Sequence, residues 1–104
     1  MKFPRVIKIG GREFEVKHPY TFIEEPNMKG QIDFGLQEIR VTEKYISGGL
    51  SHIDNQKEAL FHEILHGIDE VFNANGLNHD TLSRISEGVY QVLKDNPDFV
   101  GLFK

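Results

Sequence analysis

The chain has no cysteine among its 104 residues. That excludes a disulfide framework and any thiolate-held metal, and leaves histidine and carboxylate as the zinc ligands on offer. No apolar stretch is long enough to span a bilayer, and residues 1–8 lack the apolar core of a signal peptide. A cytoplasmic location with no membrane partner is the expectation. Positive charge is not in excess either. The formal net charge is −4, so there is no overall basic footprint for nucleic acid. Repeats, low-complexity segments and linkers are also missing. The remainder is ordinary for a globular protein, 38% hydrophobic and 27% charged, and reads as one domain over 1–104.

What is present is concentrated in residues 58–72, which contain His62-Glu63-Ile64-Leu65-His66. Positions i and i+4 of a helix lie about 40° apart around the axis, so both imidazoles leave one face. That spacing lets both reach one tetrahedral zinc, at roughly 2.0–2.1 Å each. Glu63, about 100° round from His62, stands beside the metal rather than on it. A carboxylate there can deprotonate a water whose pKa zinc has lowered to about 7. The pattern is the His-Glu-x-x-His signature of zinc metalloproteases. Phe61, Ile64, Leu65, Ile68, Val71 and Phe72 share a broad apolar arc, with His62, His66, Asp69 and Asn73 as a polar strip opposite. The bland alternative is a solvated helix with two incidental histidines.

Ahead of this helix the chain alternates. Arg5–Ile9 and Arg12–Lys17 flank Gly10-Gly11 and predict a tight hairpin. The stretch 18–30, with two prolines and a glycine, predicts an irregular connection. Gln31–Gly35 and Glu38–Thr42 predict two further strands about a turn at Gly35-Leu36-Gln37, so the first half is a small antiparallel sheet of three to four strands. Residues 44–53 read as loop. Asn55 and Glu58 have the form of a capping box that starts the metal helix, and Asn75-Gly76 stops it. Asn78 or Asp80 caps a second helix running to about Asp95, which Asn96-Pro97 ends. The apolar tail 98–104 is expected to settle against the core.

A catalytic zinc has three protein ligands and keeps its fourth position for water. Candidates for the third are Asp69, His79, Asp80 and Glu87. Glu87 on the second helix is preferred, with Gly88 allowing close approach and Gln91 supporting a histidine ligand. Against it, the apolar face of Leu82, Ile85, Val89, Val92 and Leu93 lies nearly opposite Glu87. His79 is the main alternative. Asp69 reads equally as a carboxylate orienting His62 or His66 and as an exposed acid. Tyr45, Tyr90, His52 and His79 are weaker candidates to donate to a developing oxyanion. The metzincin extension fails, since Asp69 and Phe72 stand where it needs Gly and His.

With His62–His66 followed by Glu87, the chain resembles the gluzincin-type metallopeptidases. It is similar in particular to single-domain minigluzincins and to the small ImmA/IrrE-like metallopeptidases of phage and mobile elements. The resemblance implies an α+β zincin-like minimal domain, its sheet resting on the His-Glu-x-x-His helix and a second C-terminal helix. It implies zinc on His62, His66 and Glu87, with Glu63 as general base in peptide-bond hydrolysis. It further implies that an edge strand, taken as Glu38–Thr42, holds an extended peptide or flexible protein segment beside the metal. A terminal segment that blocks the cleft is another family trait, and Phe99–Phe103 is the candidate here. The competing reading is a non-catalytic, zinc-stabilised binding or regulatory module. A third is a small protein without metal.

Overall fold

The computed structural model describes residues 3–104. Met1 and Lys2, part of the run read for a signal peptide, lie outside the described residues. Strand β1 (Val6–Ile9) turns through Gly10-Gly11 into β2 (Arg12–Tyr20), with Ile9 opposite Arg12. Gly10 carries the positive φ, at 60°. A Cβ there would also stand 2.8 Å from Val71 Cγ1, so the hairpin tip rests on the helix that follows the sheet. Glycine is required twice over at this position.

Strand β2 runs further than its alternation suggested, through Pro19 to Tyr20. Lys17 faces Arg40 and Tyr20 faces Thr42, three steps against two, so the strand bulges where Pro19 lacks an N–H. His18 is held inward there, its Nε2 2.7 Å from Gln56 Oε1 and its ring stacked 3.9 Å from Phe3. Strands β3 (Gly30–Asp33) and β4 (Glu38–Thr42) form the second hairpin. The backbone N–H of Leu36 donates to Asp33 Oδ1 at 2.9 Å and fixes the expected turn.

The strand order is β1-β2-β4-β3, and β2 pairs with β4 in parallel. The sheet is therefore mixed rather than antiparallel. After β2 the chain passes beyond the place β4 will take, lays β3 at the edge, and returns as β4 into the gap. Both flanks of β4 are consumed, so the free edge belongs to β3 and not to Glu38–Thr42.

Helix α1 spans Ile53–Asn73 and starts earlier than the capping-box pattern suggested. The cap is His52, whose Nδ1 accepts the Asp54 N–H at 3.2 Å; Asn55 is already helical. Ala74 and Asn75, at φ 48° and 57°, end the helix. Helix α2 (His79–Asp95) is capped by Asn78, whose Oδ1 accepts the Thr81 N–H at 2.8 Å. The short α3 (Pro97–Gly101) follows Asn96.

Phe14, Ile39 and Val41 are fully buried and, with Ile9, form the core, covered by Leu60, Ile64 and Val71 of α1. The side of α1 laid on the sheet also includes Glu63 and Gly67, both buried. The apolar arc consequently splits, leaving Ile68 and Phe72 exposed. On α2, Leu82 and Ser86 are buried while Ile85, Val89 and Val92 stay largely exposed. The tail also departs from expectation. Phe99 and Phe103 meet edge to face at 5.4 Å between ring centroids, and Leu102 and Phe103 are more than three-quarters exposed. It neither joins the core nor enters the cleft beside β3. No helix among the described residues is long and apolar enough to cross a membrane.

Gly67 sets the distance between α1 and the sheet, since a Cβ there would lie 2.5 Å from Ile9 Cδ1 and 3.2 Å from Ile32 Cδ1. Gly67→Leu is expected to cost about 1–3 kcal/mol through overpacking. A lower urea midpoint at unchanged m-value is the readout; an unaltered midpoint would refute the tight contact.

Candidate metal centre

Laying the Glu63–Gly67 side of α1 on the sheet leaves His62 and His66 at the rim of the interface, half-buried. Their Nε2 atoms converge to 3.0 Å, and the rings meet edge to face at 4.7 Å between centroids. A tetrahedral ion with donors at about 2.0–2.1 Å holds them about 3.3–3.4 Å apart, so this pair is within a few tenths of an ångström of binding geometry.

The third imidazole comes from the other helix. His79 is the first residue of α2, immediately after the Asn78 cap, and its ring centroid lies 5.5 Å from His62 and 5.6 Å from His66. One donor nitrogen from each of the three histidines falls within 4.8 Å of the others, close enough to hold one metal ion. Among the described residues no carboxylate joins this group. Glu87 is exposed two turns along α2 and does not reach it. The group close enough to hold an ion is thus three histidines, not two and a glutamate.

The neighbouring expectations change accordingly. The Gln91 side chain donates to Asp95 Oδ2 at 2.8 Å rather than supporting a histidine, and Gly88 faces open space. Asp80 is exposed, His52 is a helix cap, and Tyr90 lies against Phe61. Asp69 is buried, which removes its reading as a surface acid, yet its hydrogen bonds go to Asn73 and Leu77 instead of an imidazole. A signal for His79 did exist. On the α2 wheel it stands about 60° from Leu82 and about 20° from Ser86, whereas Glu87 stands about 140° from Leu82. Taking Ser86 as buried would have turned the helix the right way.

No family model matches the chain, and no curated protein and no solved structure matches it. The chemistry of the site rests on its own geometry.

The three histidines and Glu63 line a cleft of about 650 Å³, whose far wall is β3. The Thr42 N–H donates to the Lys29 carbonyl, so residues 29, 31 and 33 bond inward to β4. By antiparallel alternation Gly30 and Ile32 turn their N–H and C=O groups outward, towards the cleft. Gly30 also makes room for the acid. A Cβ at that position would lie 3.2 Å from Glu63 Cγ and 3.3 Å from its Oε2.

Burial favours the uncharged forms of His62, His66 and Glu63. Burial holds His62 below its ordinary value, with His66 and then His79 adding repulsion. His66 is lowered by burial and by His79, with Asp69 pulling the other way. Neutral imidazoles are the form that binds metal. Glu63 is only 7% exposed. Burial raises its carboxyl from 4.5 to about 7, and the Ile32 backbone N–H offsets part of this.

A carboxyl whose pKa rises on folding binds more protons in the folded state. Glu63 therefore costs stability as pH climbs from its unfolded value through about 7, up to about 3 kcal/mol in all. In the presence of a chelator, wild type should lose about 2–3 kcal/mol relative to Glu63→Gln between pH 5 and pH 8. The histidines act below their ordinary value, in the opposite direction, and cancel in this comparison. Urea titrations at the two pH values measure it, and an equal difference at both would show that Glu63 is not desolvated.

Proposed function

We propose that this protein is a zinc-dependent peptide hydrolase of zincin-like architecture, with His62, His66 and His79 as ligands and Glu63 as general base. One observation carries the reading: three imidazoles converge in an open cleft beside a buried glutamate, with no fourth histidine or carboxylate donor in the group among the described residues. Structural zinc sites close with four protein ligands, whereas catalytic ones keep a place for water. The resemblance to gluzincins supports the chemistry, but the ligand set argues for a three-histidine variant.

When bound, zinc supplies Lewis acidity that polarises a carbonyl and acidifies a water molecule. The rest is done by the chain. An extended peptide pairs through its main chain with the outward groups of Gly30 and the outward carbonyl of Ile32, whose N–H is turned to Glu63, and this brings the peptide's carbonyl to the histidine face of the cleft. Glu63 accepts the proton of the attacking water and passes it to the leaving amine. One water is consumed, one C–O bond forms and one C–N bond breaks. A buried carboxylate beside the histidine cluster stands where it can serve both halves of that transfer. A cleft with one wall made of a sheet edge selects flexible segments over folded surfaces.

Zinc binding and cleavage of unstructured peptides, measured together, test this. His79→Ala should weaken zinc by at least about 100-fold while Glu87→Ala leaves it unchanged. Glu63→Gln should retain zinc and lose cleavage by about 100-fold or more. Zinc bound tightly by wild type with no cleavage of any peptide would leave a zinc-stabilised binding module instead. Absence of zinc uptake would remove both.

Gly30→Val should separate binding from chemistry. Its Cβ would press on Glu63 and on the Arg40 carbonyl, so kcat should fall about 10-fold or more at unchanged zinc affinity. Wild-type kcat in this variant would show that Glu63 tolerates displacement.

A further inference from the structure

Asp69, one turn beyond His66, is 3% exposed, and nothing in the proposed reaction uses it. Its Oδ1 accepts two hydrogen bonds, from Asn73 Nδ2 at 2.8 Å and from the Leu77 backbone N–H at 3.2 Å. Its backbone carbonyl accepts two more, from the N–H groups of Ala74 and, at 2.9 Å, Asn75. One residue thus fastens the whole reversal that leaves α1, including two residues in the left-handed region. Asn78 and His79 follow directly.

A helix can end without a buried acid, because backbone carbonyls and a left-handed residue suffice. Burying a carboxylate here is costly, and its Oδ2 has no partner. His79 itself is exposed, so its ring is placed by the backbone that carries it and not by burial.

We propose that Asp69 is a positioning residue of the metal centre: by tying Asn73 and Leu77 it fixes the α1–α2 link and holds His79 against the His62–His66 pair. This rests on the three-histidine reading of the site. It differs from orienting a ligand by direct hydrogen bond, since Asp69 bonds no imidazole.

The test is zinc affinity, by competition with a chelating indicator, together with the absorption of the cobalt-substituted protein. Asp69→Ala should weaken zinc by about 10- to 100-fold. Asp69→Asn, which keeps an acceptor oxygen for Leu77, should stay near wild type. In a His79→Ala background the further change Asp69→Ala should have almost no effect, because the two act on one ligand. At saturating cobalt the spectrum of Asp69→Ala should stay close to that of wild type, whereas that of His79→Ala should differ. Should Asp69→Ala fail to fold, Asn73→Ala loosens the same tie from an exposed position and should show a smaller loss, again only with His79 present. Wild-type affinity in the folded variants, or an equal loss with and without His79, would overturn the proposal. A wild-type protein that takes up no zinc would instead remove the metal centre itself.

Discussion

The contact between α1 and the sheet is the constraint on which the rest depends. Gly67 removes the one side chain that would hold the helix away from Ile9 and Ile32, and the helix comes down on its Leu60–Ile64–Val71 side. Glu63 is carried in with that side and lands beside Gly30. His62 and His66, displaced around the same helix, are left at the rim, facing the cleft. A single close approach therefore sets the burial of the acid, the exposure of the ligands and the width of the groove between them. Loosening it would disturb all three together.

The stability cost of this arrangement is visible. Three imidazoles repel one another when protonated, a glutamate is desolvated, and the Asp69 carboxylate keeps one oxygen without a partner. The core that must offset this is small, with six hydrophobic residues buried among the described residues. A domain of this size has little stability to spare. An ion on the three nitrogens would stabilise the fold in proportion to its affinity, since the unfolded chain has no such site.

Much of the site was legible because it is local. The i, i+4 pair and the acid between them depend only on residues 62–66 being helical, and the Gly10-Gly11 and Asn96-Pro97 signals depend only on backbone preferences. The third histidine of the cluster was not local. Choosing His79 over Glu87 required the rotation of α2, and the apolar residues Ile85, Val89 and Val92 indicated a face that is in fact half open. The first-half topology was hidden for a similar reason. Alternation marks strands but not partners, and the parallel pairing of β2 with β4 has no short-range signature. At the start of α1, Asn55 and Glu58 matched a capping box, but they lie inside the helix and line the cleft.

The three clustered histidines all lie between residues 62 and 79, within two consecutive helices and the reversal joining them. The sheet contributes none of them; it contributes a wall of the cleft. The two sides of the cleft thus come from separate stretches of the chain that meet where Gly30 faces Glu63. Change along β3, or in the Thr21–Lys29 connection that leads into it, can reshape the wall without moving the imidazoles. A scaffold divided in this way lets one side of its cleft diverge while the other stays constant.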